Sequence, residues 1–182
     1  MKRGVYVIVF AGIGSRNIPK EYELLIKRIA SYMVAVGAKL RSGGANGTDR
    51  LFQTVFEDNN SCMEIYIPWE GFEGLYSDLP GICLVDNPEA VQFTKKYHKG
   101  FRNLTSGSIK LHNRNAHQIL GKGLDDPCDL VICYRDPKAK SSGTDQAIRI
   151  ALDNGIPVIN VANYTTYTTL LVDVIDILRG IV

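Results

Sequence analysis

Gly4-Val5-Tyr6-Val7-Ile8-Val9-Phe10-Ala11-Gly12-Ile13-Gly14-Ser15-Arg16 is the stretch on which the fold turns. Its opening residues are apolar, β-branched or aromatic, without the polar alternation of a strand that has one face in water. The run then breaks into glycines and a small hydroxyl residue. A fully apolar strand with a Gly-rich exit is what a parallel sheet covered by helices on both faces requires. Gly4 to Phe10 therefore reads as the first strand, and Gly12 to Arg16 as the turn that leaves it.

Downstream the pattern recurs. Pro19, Glu21 and Glu23 suit a helix start, and Leu24, Leu25, Ile29, Tyr32, Met33 and Val36 follow at helical spacing until Gly37. Lys39 to Arg41 is a short strand leaving through Ser42-Gly43-Gly44-Ala45-Asn46-Gly47, and Thr48 to Asp58 reads as a helix. Met63 to Ile67 is the third strand. Residues 68–88 form a long irregular segment, either a functional loop or one holding short elements of its own. Glu89 to His98 and Ser108 to Leu120 are helical, Asp129 to Tyr134 is a buried strand, and Arg135 to Ser142 is its polar exit. The helix Asp145 to Asn154, the strand Pro157 to Val161 and the helix Thr168 to Arg179 complete the chain. The expected fold is α/β, a doubly wound, mostly parallel sheet in a single domain over residues 1–182.

Composition bounds the rest. A chain of 182 residues with 45% hydrophobic residues can bury about 70% of its unfolded surface, so neither a disulfide nor a structural metal is needed. The longest apolar run, Val5 to Ile13, falls far short of the roughly 20 residues that span a bilayer. The start Met1-Lys2-Arg3 leads into strand-like residues with no cleavage site, so a cytoplasmic protein is expected. Cys62, Cys83, Cys128 and Cys133 include no C-x-x-C pair and read as reduced structural thiols. A net charge of +2 is too small to imply a polyanion partner by itself.

In open α/β sheets a ligand sits outside the carboxyl ends of the strands, where strand order reverses. Three strand exits carry glycine and small hydroxyl residues, each before a helix: Gly12-Ile13-Gly14-Ser15-Arg16, Ser42-Gly43-Gly44, and Ser141-Ser142-Gly143-Thr144. Glycine lets backbone N–H groups approach an oxyanion, the helix start adds partial positive charge, and hydroxyls add donors. Together they describe a phosphate cradle. The familiar cofactor signatures are missing. Gly12-x-Gly14 is followed by Asn17 where a dinucleotide fingerprint has Gly or Ala, no carboxylate ends the second strand, and no G-x-x-x-x-G-K-[ST] is present. His112 and His117 are five apart, on different helix faces, with no third ligand nearby, so no metal and no cofactor is expected. Between Glu89 and Asp125 stand Lys95, Lys96, Lys99, Arg102, Lys110, Arg114 and Lys122, without one Asp or Glu. That block is either a solvated basic face or a source of charge for the cradle. Arg114, on a helix with His112 and Asn115, has the planar fork that suits a phosphate.

These motifs resemble the SLOG superfamily, which joins the DNA-processing protein A fold to the Lonely Guy phosphoribohydrolases, and are most similar to small stand-alone DNA-processing-protein-A-like proteins of tailed bacteriophages. The resemblance is carried by Phe10 to Arg16, Arg41 to Asp49, Glu64 to Phe72, Arg114-Asn115 with Gln118 to Gly121, and Gly143 to Ala151. It implies a Rossmann-like domain that binds a phosphorylated nucleotide or nucleotide-derived ligand, a signalling nucleotide included, and works as a homo-oligomer in the cytoplasm, a host's if phage-encoded. The Lonely Guy enzymes cleave an N-glycosidic bond with an Arg, which Arg114 matches, and a Glu in P-G-G-x-G-T-x-x-E. Here Ala147 stands at the Glu position and Lys140-Ser141-Ser142 replaces P-G-G. Glycoside cleavage needs a carboxylate, which Asp49 or Asp145 could supply only by turning toward the ligand; otherwise each is a favourable charge at a helix start. The DNA-processing proteins bind single-stranded DNA, which this chain could take on its basic block with Phe93, Tyr97 or Phe101 as stacking aromatics.

The expected ligand site is thus Gly12, Gly14, Ser15 and Arg16 on the first exit; Ser42, Gly43, Gly44, Asn46 and Asp49 on the second; and Ser142, Gly143, Thr144 and Asp145 on the last. Arg114 and Asn115 join them from the intervening helix, and Trp69 stacks on a base at the rim or caps the core.

Overall fold

The computed structural model describes residues 6–140 and 142–181. Six strands form one parallel sheet: β1 (Val9–Gly14), β2 (Lys39–Ser42), β3 (Met63–Ile67), β4 (Ile82–Leu84), β5 (Leu130–Tyr134) and β6 (Val158–Asn160). Their order across the sheet is β4-β3-β2-β1-β5-β6, with every pairing parallel. The chain winds outward from β1 to β4, returns, and continues on the other side of β1. The reversal falls between β1 and β5, and there Gly14 at the end of β1 registers with Tyr134 at the end of β5.

The helices are α1 (Lys20–Ala35), α2 (Thr48–Asp58), α3 (Ala90–Tyr97), α4 (Ser106–Leu120), α5 (Gly143–Asp153) and α6 (Tyr167–Ile181). One face of the sheet carries α1, α2 and α6 over a core centred on Phe10, Ile26, Ile29, Met33, Phe52, Phe56 and Leu130. The other carries α4 and α5 over Ala11, Ile13, Ile119, Val131, Cys133 and Ile150. Both faces of β5 are therefore closed, and all five of its residues are buried, as an unbroken apolar run requires. No described helix is long and apolar enough to cross a membrane. This is the doubly wound, Rossmann-like arrangement that the apolar strands imply.

One expectation needs correction. The first strand is Val9–Gly14, not Gly4 to Phe10: Gly4 and Val5 lie outside the described residues, and Tyr6 and Val7 are 57% and 50% exposed. Gly12 belongs inside the strand. A Cβ there would stand 2.6 Å from Phe52 Cγ and 2.9 Å from Leu40 Cδ1, so Gly12 is glycine because α2 packs directly on the β1 backbone. Of the two readings of segment 68–88, the structure bears out short elements of its own, since Ile82–Leu84 pairs with β3 as an edge strand. The helix boundaries shift by a few residues. Among them, α4 starts earlier, at Ser106, where Thr105 Oγ1 accepts from the Ser108 N–H at 3.2 Å.

Because Phe52 is fully buried against β1, Gly12→Ala is expected to destabilise the fold by about 1–3 kcal/mol through overpacking. A lower urea midpoint with an unchanged m-value checks this, and an unchanged midpoint refutes it.

Candidate functional site

At the sheet reversal, four segments surround an open cleft of about 270 Å³. The β1 exit contributes Ile13, Gly14, Ser15 and Arg16, and the approach to α2 contributes Ala45 and Asp49. One stripe of α4 contributes Leu111, His112, Arg114, Asn115 and Gln118, and the start of α5 contributes Ser142, Gly143, Thr144 and Ala147.

The floor is a buried ion pair. Asp49 and Arg114 are only 3% and 5% exposed. Asp49 Oδ1 accepts from the Gly14 N–H at 3.0 Å, and Oδ2 accepts from Arg114 Nη1 at 3.3 Å and Gln118 Nε2 at 3.4 Å. Burial pushes the Asp49 carboxyl above its usual range, opposed by the Arg114 charge and by amide hydrogen bonds from Gly14 and Ala45. Burial likewise pulls Arg114 down, opposed by Asp49; a guanidinium remains protonated nonetheless. The slot for this guanidinium is made by Gly43, where a Cβ would fall 1.4 Å from Arg114 Nη1. Arg114 Nε is buried and has no hydrogen-bond partner among the described residues.

Above the floor stands the N-terminus of α5. Gly143 and Thr144 are its first two residues, whose N–H groups have no acceptor within a helix and lie at its positive end. A Cβ at Gly143 would meet nothing within 4 Å, so the approach is open. Asp145 faces elsewhere. Its carboxylate accepts from Arg135 Nε at 2.9 Å and from the Ser142 N–H at 2.8 Å. Against the effect of its own partial burial, those partners hold Asp145 below the usual carboxylate range.

The cleft brings together Gly14, Ser15, Arg16, Asp49, Arg114, Asn115, Ser142, Gly143 and Thr144 of the residues expected from sequence. Two of the β1-exit amides are already used: Gly14 N–H by Asp49, and Ser15 N–H by the Tyr134 carbonyl at 2.9 Å. The other candidates lie behind or beside the cleft. Gly12 packs on Phe52, and Ser42 Oγ donates to the Gly12 carbonyl at 2.6 Å in the fully buried interior. Gly43 underlies Arg114, and Gly44, at φ +65°, faces Leu75. Asn46 Nδ2 donates to Glu73 Oε2 at 2.6 Å, and Glu73 also pairs with Arg16 at 2.8 Å. Trp69 packs edge-on against Phe72 at 5.3 Å and is not among the residues that line the cleft. The middle Gly-rich turn therefore supports Arg114 and offers the cleft no glycine amide. Ser141 lies outside the described residues.

Sequence reasoning missed Ile13, Ala45, Leu111, His112, Gln118 and Ala147 as lining residues. The signal was present for α4, since Leu111, Arg114, Asn115 and Gln118 recur at i, i+3, i+4 and i+7 and so share one face. Beside the cleft, Lys95, His98, Lys99, Gly100, Phe101, Arg102 and Asn103 line a second, basic pocket. The His98 ring rests 4.3 Å from that of His112 and joins the two. Phe93 and Tyr97 stack on each other and pack against the core beneath α4 and α5, whereas Phe101 lines the basic pocket. Among the described residues, no three His, Cys, Asp or Glu side chains cluster to hold a metal ion.

No protein-family model and no curated protein matches the sequence. Solved structures match the fold. DNA processing protein A from Helicobacter pylori, described for its single-stranded DNA binding mode, superposes with a TM-score of 0.57 at 21% identity, over 86% of this chain and 70% of that one. DNA processing protein A from Streptococcus pneumoniae gives 0.51 at 18% identity, over 84% of this chain and 49% of that one. The Moco carrier protein of Chlamydomonas rheinhardtii gives 0.51 at 11% identity, over 84% and 74%. The chain thus has the fold of the DNA processing A proteins, and spans about half of the pneumococcal chain.

Asp49→Ala would strand the Arg114 charge in its slot and is expected to cost about 3–5 kcal/mol, while Arg114→Met added to it recovers part of that loss. Urea denaturation of the two variants checks the order; equal or greater loss in the double variant would refute it.

Proposed function

We propose that this protein binds a phosphorylated nucleotide or nucleotide-derived ligand, with a phosphate seated on the first turn of α5 opposite Arg114. One observation carries the reading: a buried guanidinium lines the same cleft as Gly143 and Thr144, the first two residues of α5, whose N–H groups have no acceptor within the helix. A helix N-terminus favours an anion through its free N–H groups and its dipole. The Arg114 charge beside it adds attraction for the same anion. Arg16, at the rim and paired with Glu73, adds a second cation. The likeness to a carrier protein for a molybdenum cofactor fits small-ligand binding on this fold.

A second reading, single-stranded DNA binding, is favoured by a different observation. Lys95, His98, Lys99 and Arg102 gather around Phe101 in an open pocket with no acidic lining residue, and the Helicobacter pylori protein of this fold binds single-stranded DNA. Phosphate contacts from such a loop would give steeply salt-dependent affinity.

Gly143→Pro separates the two. Proline is tolerated at the first helical position, the extended Ser142 (φ −145°, ψ 159°) suits a residue before proline, and only one N–H is removed. Calorimetric titration with adenosine 5′-monophosphate is expected to show saturable binding that inorganic phosphate competes away, weakened about tenfold or more by Gly143→Pro. No binding at millimolar nucleotide contradicts the first reading. Tight binding of an oligothymidylate, lost with salt and indifferent to Gly143→Pro, would install the second. Release of free base during the titration would add turnover to binding.

A further inference from the structure

The polar layer behind the cleft fixes the tautomer of His112. Asn115 Nδ2 donates to the Gly143 carbonyl at 3.3 Å and to Gln146 Oε1 at 3.1 Å. At its other end, Gln146 Nε2 donates to Thr94 Oγ1 at 3.4 Å, and the Thr94 hydroxyl donates onward to Asn113 Oδ1 at 2.7 Å. Turning Gln146 over would set its NH₂ against that of Asn115, so Oε1 is the acceptor at this end. His112 Nδ1, 2.7 Å from the same oxygen, must therefore carry the ring hydrogen. Burial, assisted by His98 and Arg114, pulls His112 below the ordinary imidazole value despite the bond to Gln146, and the ring is neutral at pH 7. Its Nε2 is then a bare lone pair. That nitrogen makes no hydrogen bond among the described residues, and it belongs to a half-buried residue that lines the cleft.

The groups around that ring are Arg114 on its own helix, His98 from the turn after α3, and the uncharged Gln146 from α5, with Asp49 and Arg16 in the same cleft. The Gly143 and Thr144 amides and the charged Arg114 guanidinium are donors, and His112 Nε2 is an acceptor beside them, along with the side-chain oxygens of Asn115, Ser142 and Thr144. The cleft of about 270 Å³ is smaller than the roughly 300–1,000 Å³ of pockets that enclose a whole drug-sized ligand. A cleft of that size suits the phosphate end of a nucleotide better than the whole molecule. What lies next to the phosphate in such a ligand is the pentose, whose hydroxyls are donors.

Resting on the phosphate reading above, we infer that His112 is a specificity residue which accepts a hydrogen bond at Nε2 from a hydroxyl of a ribose 5-phosphate moiety held in the cleft. The ligand class is thereby narrowed to ribonucleotides, recognised through sugar and phosphate, with the base contributing little.

The test compares adenosine 5′-monophosphate with its 2′,3′-dideoxy analogue, on the wild type and on His112→Phe. The wild type is expected to prefer the ribonucleotide by about tenfold, the worth of one hydrogen bond, and His112→Phe to bind the two forms with equal affinity. Replacing adenine by uracil is expected to leave the ratio unchanged. In the wild type alone, the preference should fall only as pH drops below the ordinary imidazole value, because protonated Nε2 no longer accepts; this readout survives if the variant fails to fold. A preference that is absent, or present and indifferent to both His112→Phe and pH, overturns the assignment while nucleotide binding stands. Absence of any nucleotide binding in the wild type overturns both readings.

Discussion

The contact between Asp49 and Arg114 is the constraint around which this molecule is arranged. A buried ion pair is stabilising only when its remaining hydrogen-bonding capacity is met, because desolvation of two charges offsets most of their attraction. Asp49 meets that condition, accepting from the Gly14 amide, Arg114 and Gln118. Arg114 does not, since its Nε is left without a partner. The pair is asymmetric: the protein supplies the carboxylate with hydrogen-bond donors, whereas the guanidinium keeps one buried N–H without an acceptor.

Much of the surrounding structure serves that pair. Gly43 is small because Nη1 lies where its Cβ would be. The β1 exit turns at Gly14 so that its amide reaches Asp49, and a side chain there would collide with the Tyr134 carbonyl at 2.5 Å. The parallel sheet places the ends of β1 and β5 side by side, which brings the start of α5 over the pair. Positive charge, free amides and a neutral histidine acceptor consequently share one cleft, although they come from segments far apart in sequence.

The parallel fold was legible in the sequence because its signal is local. Runs such as Leu130 to Tyr134 are apolar throughout, and only burial on both faces explains that. The position of the first strand was not legible. Gly12 looks like turn punctuation, but its cause is the Phe52 ring pressing on the backbone, a contact made forty residues away. The strand Ile82–Leu84 is too short, and too closely flanked by proline and glycine, to show a period. At the site, the glycine clusters located the edge of the sheet where the cleft lies. They did not reveal that Gly43 seats an arginine while Gly143 opens onto solvent, since both are glycines before a helix. Asp145 shows the same limit, because the Arg135 that engages it lies in an exit loop that carries no motif. The role of His112 depends on Gln146, Asn115 and Thr94, three residues on three helices, and no spacing encodes that meeting.

The account is tested most directly by following backbone amide and arginine side-chain resonances while inorganic phosphate is added. It predicts that the Gly143 and Thr144 amides and the Arg114 Nε–H shift together along one saturation curve, with the Lys95 to Asn103 loop unmoved at low phosphate. Shifts confined to that basic loop, with Gly143, Thr144 and Arg114 unchanged, would contradict it.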